Sequence, residues 1–145
     1  MIPETLEEKS KSLIRTHEGW SSTVYQCPSG RLTIGYGRNL EDKGITRTEG
    51  EILLDHDVRE VYAQLTVALL HMGITLQQLP QDAQVVLIDM AYNLGISGLL
   101  KFKRMLRAIA DRDWERVALE MQNSKWYHQV GKRSKHLMEL IRGIK

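Results

Sequence analysis

One stretch breaks the pattern of this chain. Almost everywhere else, apolar residues recur every three or four positions. Between Glu18 and Gly37 the run EGWSSTVYQCPSGRLTIGYG instead favours Thr, Val, Tyr, Ile and Gly, with Pro-Ser-Gly in its middle. Residues 24–27 and 31–34 read as two short strands around that turn. Gly35 and Gly37 interrupt further strand and permit close backbone approach, and residues 39–44 read as polar loop. A single hairpin set among helices makes the fold class α+β, mainly α-helical with a small β lobe near the N-terminus.

The flanking helices follow from their punctuation. Thr5 and Glu8 have the spacing of a capping box, and Leu6, Leu13 and Ile14 fall near one face, so a helix is expected up to Gly19. Glu18 then lies at a helix C-terminus. There the negative end of the dipole disfavours a charged carboxylate, which suits a proton donor. Thr46 and Glu49 form a second capping box, with Ile45 placed as a hydrophobic staple. The helix they open carries Leu54, Val58, Val61, Leu65 and Leu69 at helical spacing to about residue 71, where Gly73 ends it. Its length and place after the hairpin suit a helix linking two lobes. Pro80 fits the first turn of a helix that is apolar nearly all round, the expected buried central helix, closed by Asn93-Leu94-Gly95. Further helices are expected over 99–110, from Asp111 or Asp113 to 121, over 124–129 and over 134–141.

Composition excludes several functions. At 145 residues, 42% hydrophobic and 26% charged, the chain is one ordinary globular domain with room for a real core. No apolar run is expected to reach the ~18 residues of a membrane span, and the polar, acidic N-terminus is no secretory signal. Cys27 is the single cysteine, so no internal disulfide is possible and a reducing compartment suits folding. Five scattered histidines, with His17 and Glu18 adjacent and so on different faces, predict no metal site and no cofactor. Charge is split: residues 1–100 carry a net −5 and residues 101–145 a net +7. That asymmetry suits an anionic surface, whether nucleic acid, membrane or bacterial wall, although basic helix faces alone account for it. No groove-reading motif accompanies it, so nucleic acid is not an expected partner.

The chemistry sits in the opening stretch: a carboxyl at Glu18, a thiol at Cys27 and a hydroxyl at Thr33. Glycosidic cleavage needs an acid to protonate the leaving oxygen and a second group that activates water or attacks directly. Spacing alone does not single that reaction out. Thr33 also reads as a plain β-former, and Cys27 as a small buried filler. Glu41 and Asp42 are expected to be solvated loop, and Trp126 and Tyr127 to be core. Tyr92 and Asn93, at a helix end, are candidates for lining a sugar groove.

Taken together these motifs resemble the phage-type lysozymes, glycoside hydrolase family 24. Glu18, eight residues, Cys27, five residues and Thr33 reproduce that family's Glu-x8-(Asp or Cys)-x5-Thr triad. Thr33-Ile34-Gly35-Tyr36-Gly37 is similar to its strand and turn, and Ala91-Tyr92-Asn93-Leu94-Gly95 to the end of its central helix. The run 124–129 followed by Arg133 is similar to its C-terminal segment. The resemblance covers essentially all of residues 1–145 as one lysozyme-like catalytic domain, with the β lobe at about 18–45 and helical parts at 1–17 and 46–145. It implies a muramidase cutting the β-1,4 bond from N-acetylmuramic acid to N-acetylglucosamine in peptidoglycan. Glu18 would be the general acid, Cys27 and Thr33 would hold or activate water, and Tyr36, Tyr92, Asn93, Gln129 and Arg133 would bind substrate. Arg133 is also implied to lie near Glu18. The family's histidine after Gly-x-Gly is Arg38 here, so any role of that histidine lapses. A thiol of ordinary pKa ~8.5 is mostly protonated at neutral pH, which leaves Cys27 open as thiolate base, water-positioning group or filler.

The resemblance further implies a monomeric endolysin that waits in the host cytoplasm for a separate membrane lesion and then reaches the periplasm or wall. Two alternatives stand beside it. A lytic transglycosylase would use one acid and no second carboxylate, leaving 1,6-anhydro-muramic ends. A wall-binding or membrane-disrupting protein would act through the basic C-terminal helices.

Overall fold

The structure, a computed structural model, describes residues 1–145 and divides into two units, Met1–Ile52 and Leu53–Lys145. The first unit opens with α1 (Glu4–Glu18). The expected Thr5–Glu8 capping box does not form, because the helix starts one residue before Thr5. Pro3 is the cap, its carbonyl accepting from the Glu7 N–H at 2.9 Å. Proline's preset φ favours that start, and Glu4 and Glu7 then meet the positive end of the dipole. Leu6, Leu13 and Ile14 are all exposed, and α1 buries nothing.

After α1 come β1 (Ser21–Gln26), β2 (Leu32–Gly35) and β3 (Arg38–Asn39), an antiparallel sheet in that order. Tyr25 pairs with Thr33 and Gln26 with Leu32, while the register shifts between Ser21 and Tyr25. Thr33 pairs onward with Asn39, and Ile34 with Arg38. The third strand corrects the reading of 39–44 as loop throughout. Two residues are too short to show a period, so only the turn at Tyr36-Gly37 reveals it. Glu41 is likewise no bystander: its carboxylate accepts from the Leu32 N–H at 3.0 Å, while Asn39 Oδ1 caps the Asp42 N–H.

The next helix, α2 (Arg47–Leu70), starts as expected. The Thr46 hydroxyl accepts from the Glu49 N–H at 3.1 Å, and Glu49 Oε1 accepts from the Thr46 N–H at 2.9 Å. Arg38 forks onto both oxygens of the same Glu49 and donates to the Gly44 carbonyl at 3.1 Å. One carboxylate thus ties the helix start, the preceding loop and β3. The Arg38 guanidinium, followed by the capping bonds, holds the Glu49 carboxyl down at about 2.

The second unit contains the core. Beyond a 3₁₀ turn at Leu76–Gln78 lie α3 (Gln81–Leu100), α4 (Lys103–Ala110), α5 (Trp114–Gln122), α6 (Lys125–Val130) and α7 (Lys132–Arg142). Leu65 and Leu69 of α2 join Leu87, Met90, Leu106, Met121 and Ile141 in one buried cluster. Each such side chain contributes on the order of 1.5–3 kcal/mol by leaving water. Trp126 belongs to this core and Tyr127 packs partly buried against it, as expected. By length and apolarity α3 passes for a membrane span, against the expectation that no run would. Ala83, Val86, Leu87, Met90, Ala91 and Leu99 are buried in the protein, so its apolarity serves the core.

Gly95 breaks α3 without ending it. Its φ of 77° and ψ of 163° interrupt the helix, which resumes at once and carries Leu99 and Leu100. The expected helix over 99–110 therefore begins only at Lys103, after a break at Lys101-Phe102. Of the two candidate caps for α5, Asp113 takes the role, accepting from the Arg116 N–H at 3.2 Å. Ser124 caps α6 in the same way. Ser134, fully buried, ties α6 to α7 by donating to the Tyr127 and Gly131 carbonyls.

Candidate active site

Glu18 is the last residue of α1, and Gly19 turns the chain away while its N–H closes on the Arg15 carbonyl. The turn between β2 and β3 then brings Gly37 beneath the carboxyl. A Cβ on Gly37 would lie 2.6 Å from Glu18 Oε2 and 2.8 Å from its carboxyl carbon, and φ there is 79°. The left-handed backbone favours glycine here, and any larger residue would push the Glu18 carboxyl away. The acid is therefore seated directly on the Gly-Tyr-Gly turn. Sequence reasoning identified that turn without finding what it holds.

Cys27 and Thr33 meet on the hairpin. Cys27 Sγ shares a hydrogen bond of 3.0 Å with Ser29 Oγ, inside the Pro-Ser-Gly turn. That bond, followed by the backbone at Arg31, brings the thiol down to about 7. Ser29 was missed, although its place two residues after Cys27 in a turn is a local hydrogen-bonding signature. Thr33 is 3% exposed, and its hydroxyl donates to the Arg31 carbonyl at 2.9 Å. Tyr36 stands exposed beside Gly37 and packs against Trp20.

The remaining expected residues belong to the second unit. Tyr92 and Arg133 line one cleft of about 470 Å³ with Leu54, Val58, Ile88 and Asp89. Asp89, absent from the sequence reading, is the partner the structure gives Arg133: Nε donates to its Oδ1 at 2.7 Å and Nη2 to its carbonyl at 3.3 Å. No local pattern links positions 44 residues apart. Asn93 accepts from the Trp126 indole N–H at 3.3 Å, which ties α3 to α6, and Gln129 is exposed on α6. A larger cavity, of about 700 Å³, holds none of the expected residues; Phe102 and Trp126 line it, with Lys101, Lys103, Arg104 and Lys125.

Metal-ligand spacing, not expected from the sequence, does occur once. His56, Asp57 and Glu60 on α2 bring donor atoms within 4.8 Å of one another. His56 and Glu60 are one helical turn apart, a proximity invisible when histidines are merely counted along the chain.

A first helix, a small antiparallel sheet and a following helical unit make the α+β order of a lysozyme-like fold. Residues 15–142 match the phage lysozyme family, and the chain belongs to it. It is similar to a probable T4-type lysozyme of Dictyostelium discoideum, 25% identical over 90% of this chain and 92% of that protein. An endolysin of Acyrthosiphon pisum secondary endosymbiont phage 1 is 29% identical over 83% of this chain and 79% of its own length. The pre-baseplate central spike protein Gp5 of Enterobacteria phage T4 is 29% identical over 90% of this chain, which spans 27% of that protein. The chain is thus a peptidoglycan-degrading lysozyme.

Proposed function

We propose that this enzyme hydrolyses the β-1,4 bond between N-acetylmuramic acid and N-acetylglucosamine, with Glu18 as general acid. Glu18 protonates the departing glycosidic oxygen while Cys27, as thiolate, takes a proton from water that Thr33 helps to orient. The observation that carries this reading is the seating of the Glu18 carboxyl on Gly37, in the same sheet whose first turn holds a thiol brought down to about 7. The exposed Glu18 carboxyl, lying against the Gly37 backbone, is open to a glycosidic oxygen and to solvent for proton transfer. Tyr36, Tyr92, Asn93, Gln129 and Arg133 bind the glycan. The biological role is endolysis of a phage host from the cytoplasmic side, by a monomer acting after a membrane lesion, and the relative bearing the name endolysin supports it.

Mass spectrometry of digested peptidoglycan tests the reaction. Wild type should release reducing muramic ends carrying one oxygen from labelled water, and Glu18→Gln should release none. Anhydro-muramic ends without label would instead establish transglycosylation, which the lack of a second carboxyl in the triad makes the natural competitor.

A further inference from the structure

An exposed aromatic pair beside the acid has no structural duty. Trp20 is 66% exposed and Tyr36 46%, although burial is what normally stabilises such large apolar rings. Their centroids are 4.9 Å apart with planes tilted by 52°. The Arg15 guanidinium lies 5.9 Å from the Tyr36 centroid, a cation–π contact that holds that ring from α1. Trp20 reaches over the neighbouring glycine, where Cζ3 would lie 3.6 Å from a Cβ on Gly35. Three consecutive positions therefore carry, in order, an indole above Gly35, the Tyr36 ring, and the Glu18 carboxyl above Gly37.

We infer that Trp20 and Tyr36 form a stacking platform for a pyranose ring of the glycan strand, next to the bond at Glu18. This rests on Glu18 being the acid, since adjacency to it is what selects a sugar over other occupants. One face of a pyranose presents C–H bonds, slightly positive, which suit the negative faces of aromatic rings. A neutral sugar ring also needs no counter-charge, and the pair itself carries none. Tyr36 was an expected contact by resemblance. Trp20 and its support by Gly35 emerge only from the packing.

The probe is the inactive Glu18→Gln protein titrated with chitohexaose, an uncharged N-acetylglucosamine oligomer, with tryptophan fluorescence as readout. Trp126 is buried and Trp114 half-buried, so a saturable blue shift that vanishes in a Glu18→Gln, Trp20→Phe protein reports on Trp20. In the active background, Trp20→Leu should raise KM roughly three- to tenfold, as expected for losing one aromatic contact, with a smaller change in kcat. Trp20→Tyr should restore most of that affinity, which a merely apolar role would not require. Unchanged KM in Trp20→Leu, or a spectrum unmoved by sugar, overturns the platform while leaving Glu18 as the acid. Persistent hydrolysis by Glu18→Gln overturns the acid instead, and the platform's location argument with it.

Discussion

The two units of this enzyme are built on different physics. Every residue of the buried apolar cluster lies between Leu65 and Ile141. In Met1–Ile52 the one buried residue is Thr33, and order there comes from hydrogen bonds, turn glycines and the Arg38–Glu49 pair. Apolar burial is cooperative and indifferent to direction, whereas hydrogen bonds are directional and net only about 1 kcal/mol each. Glu18, Cys27 and Thr33 therefore sit where geometry is specified by direction, while the apolar core lies in the second unit. Local opening is expected to be cheapest where few apolar contacts exist, so amides of the sheet should exchange faster than those of α3.

The largest effect that would break this contrast is on stability. Leu106→Ala should cost about 2–5 kcal/mol in urea unfolding followed by the Trp126 signal, because it opens a cavity in a packed core. A change below that range would mean that the second unit is not the stabilising one. Gly37→Ala should do the reverse. Strain at its positive φ costs roughly 1–2 kcal/mol, yet displacing the Glu18 carboxyl should lower wall-lysis rates by on the order of 10²-fold. Retained turnover in that variant would detach the acid from the turn.

Two smaller effects sharpen the picture within the first unit. The activity of the wild type should rise with pH through about 7 as the Cys27 thiol ionises. In Cys27→Asp that limb should move to about pH 4, and in Cys27→Ser it should disappear. The same lowering links to stability. Its contribution is complete above the thiol's ordinary value and fades as pH falls through about 7. Full activity in Cys27→Ala would remove the thiol from the mechanism. The smallest effect is expected for Glu49→Gln, read by amide exchange over residues 38–46. Protection should drop at neutral pH. Because the Glu49 value is lowered, the pair contributes fully above the ordinary 4.5 and loses its contribution as pH falls towards about 2, where wild type and variant should converge.

Much of this was legible from the chain alone, for identifiable reasons. The Thr46–Glu49 cap, the Asp113 cap and the hairpin turn are local signals, spanning four residues or fewer, and the structure forms each of them. The triad spacing was legible too, since spacing is a property of sequence. Thr5–Glu8 shows the limit of local pattern, because Pro3 offered an earlier start and the helix took it. β3 and the resumption of α3 after Gly95 were lost because neither segment is long enough to carry a period.

What tertiary structure alone decided concerns who touches whom. Sequence placed an acid at a helix end and a glycine nineteen positions later; only the return of the chain through the turn put one on the other. Arg133 was named from its pattern, but Asp89 as its partner required α3 and α7 to pack. Sequence left Cys27 suspended between base and filler, and the Ser29 hydroxyl that moves its ionisation comes from the folded hairpin. Side-chain types and their local caps are written along the chain. Distances between residues remote in sequence are set by packing and hydrogen bonding in three dimensions, and the chemistry of Glu18 and its neighbours depends on those distances.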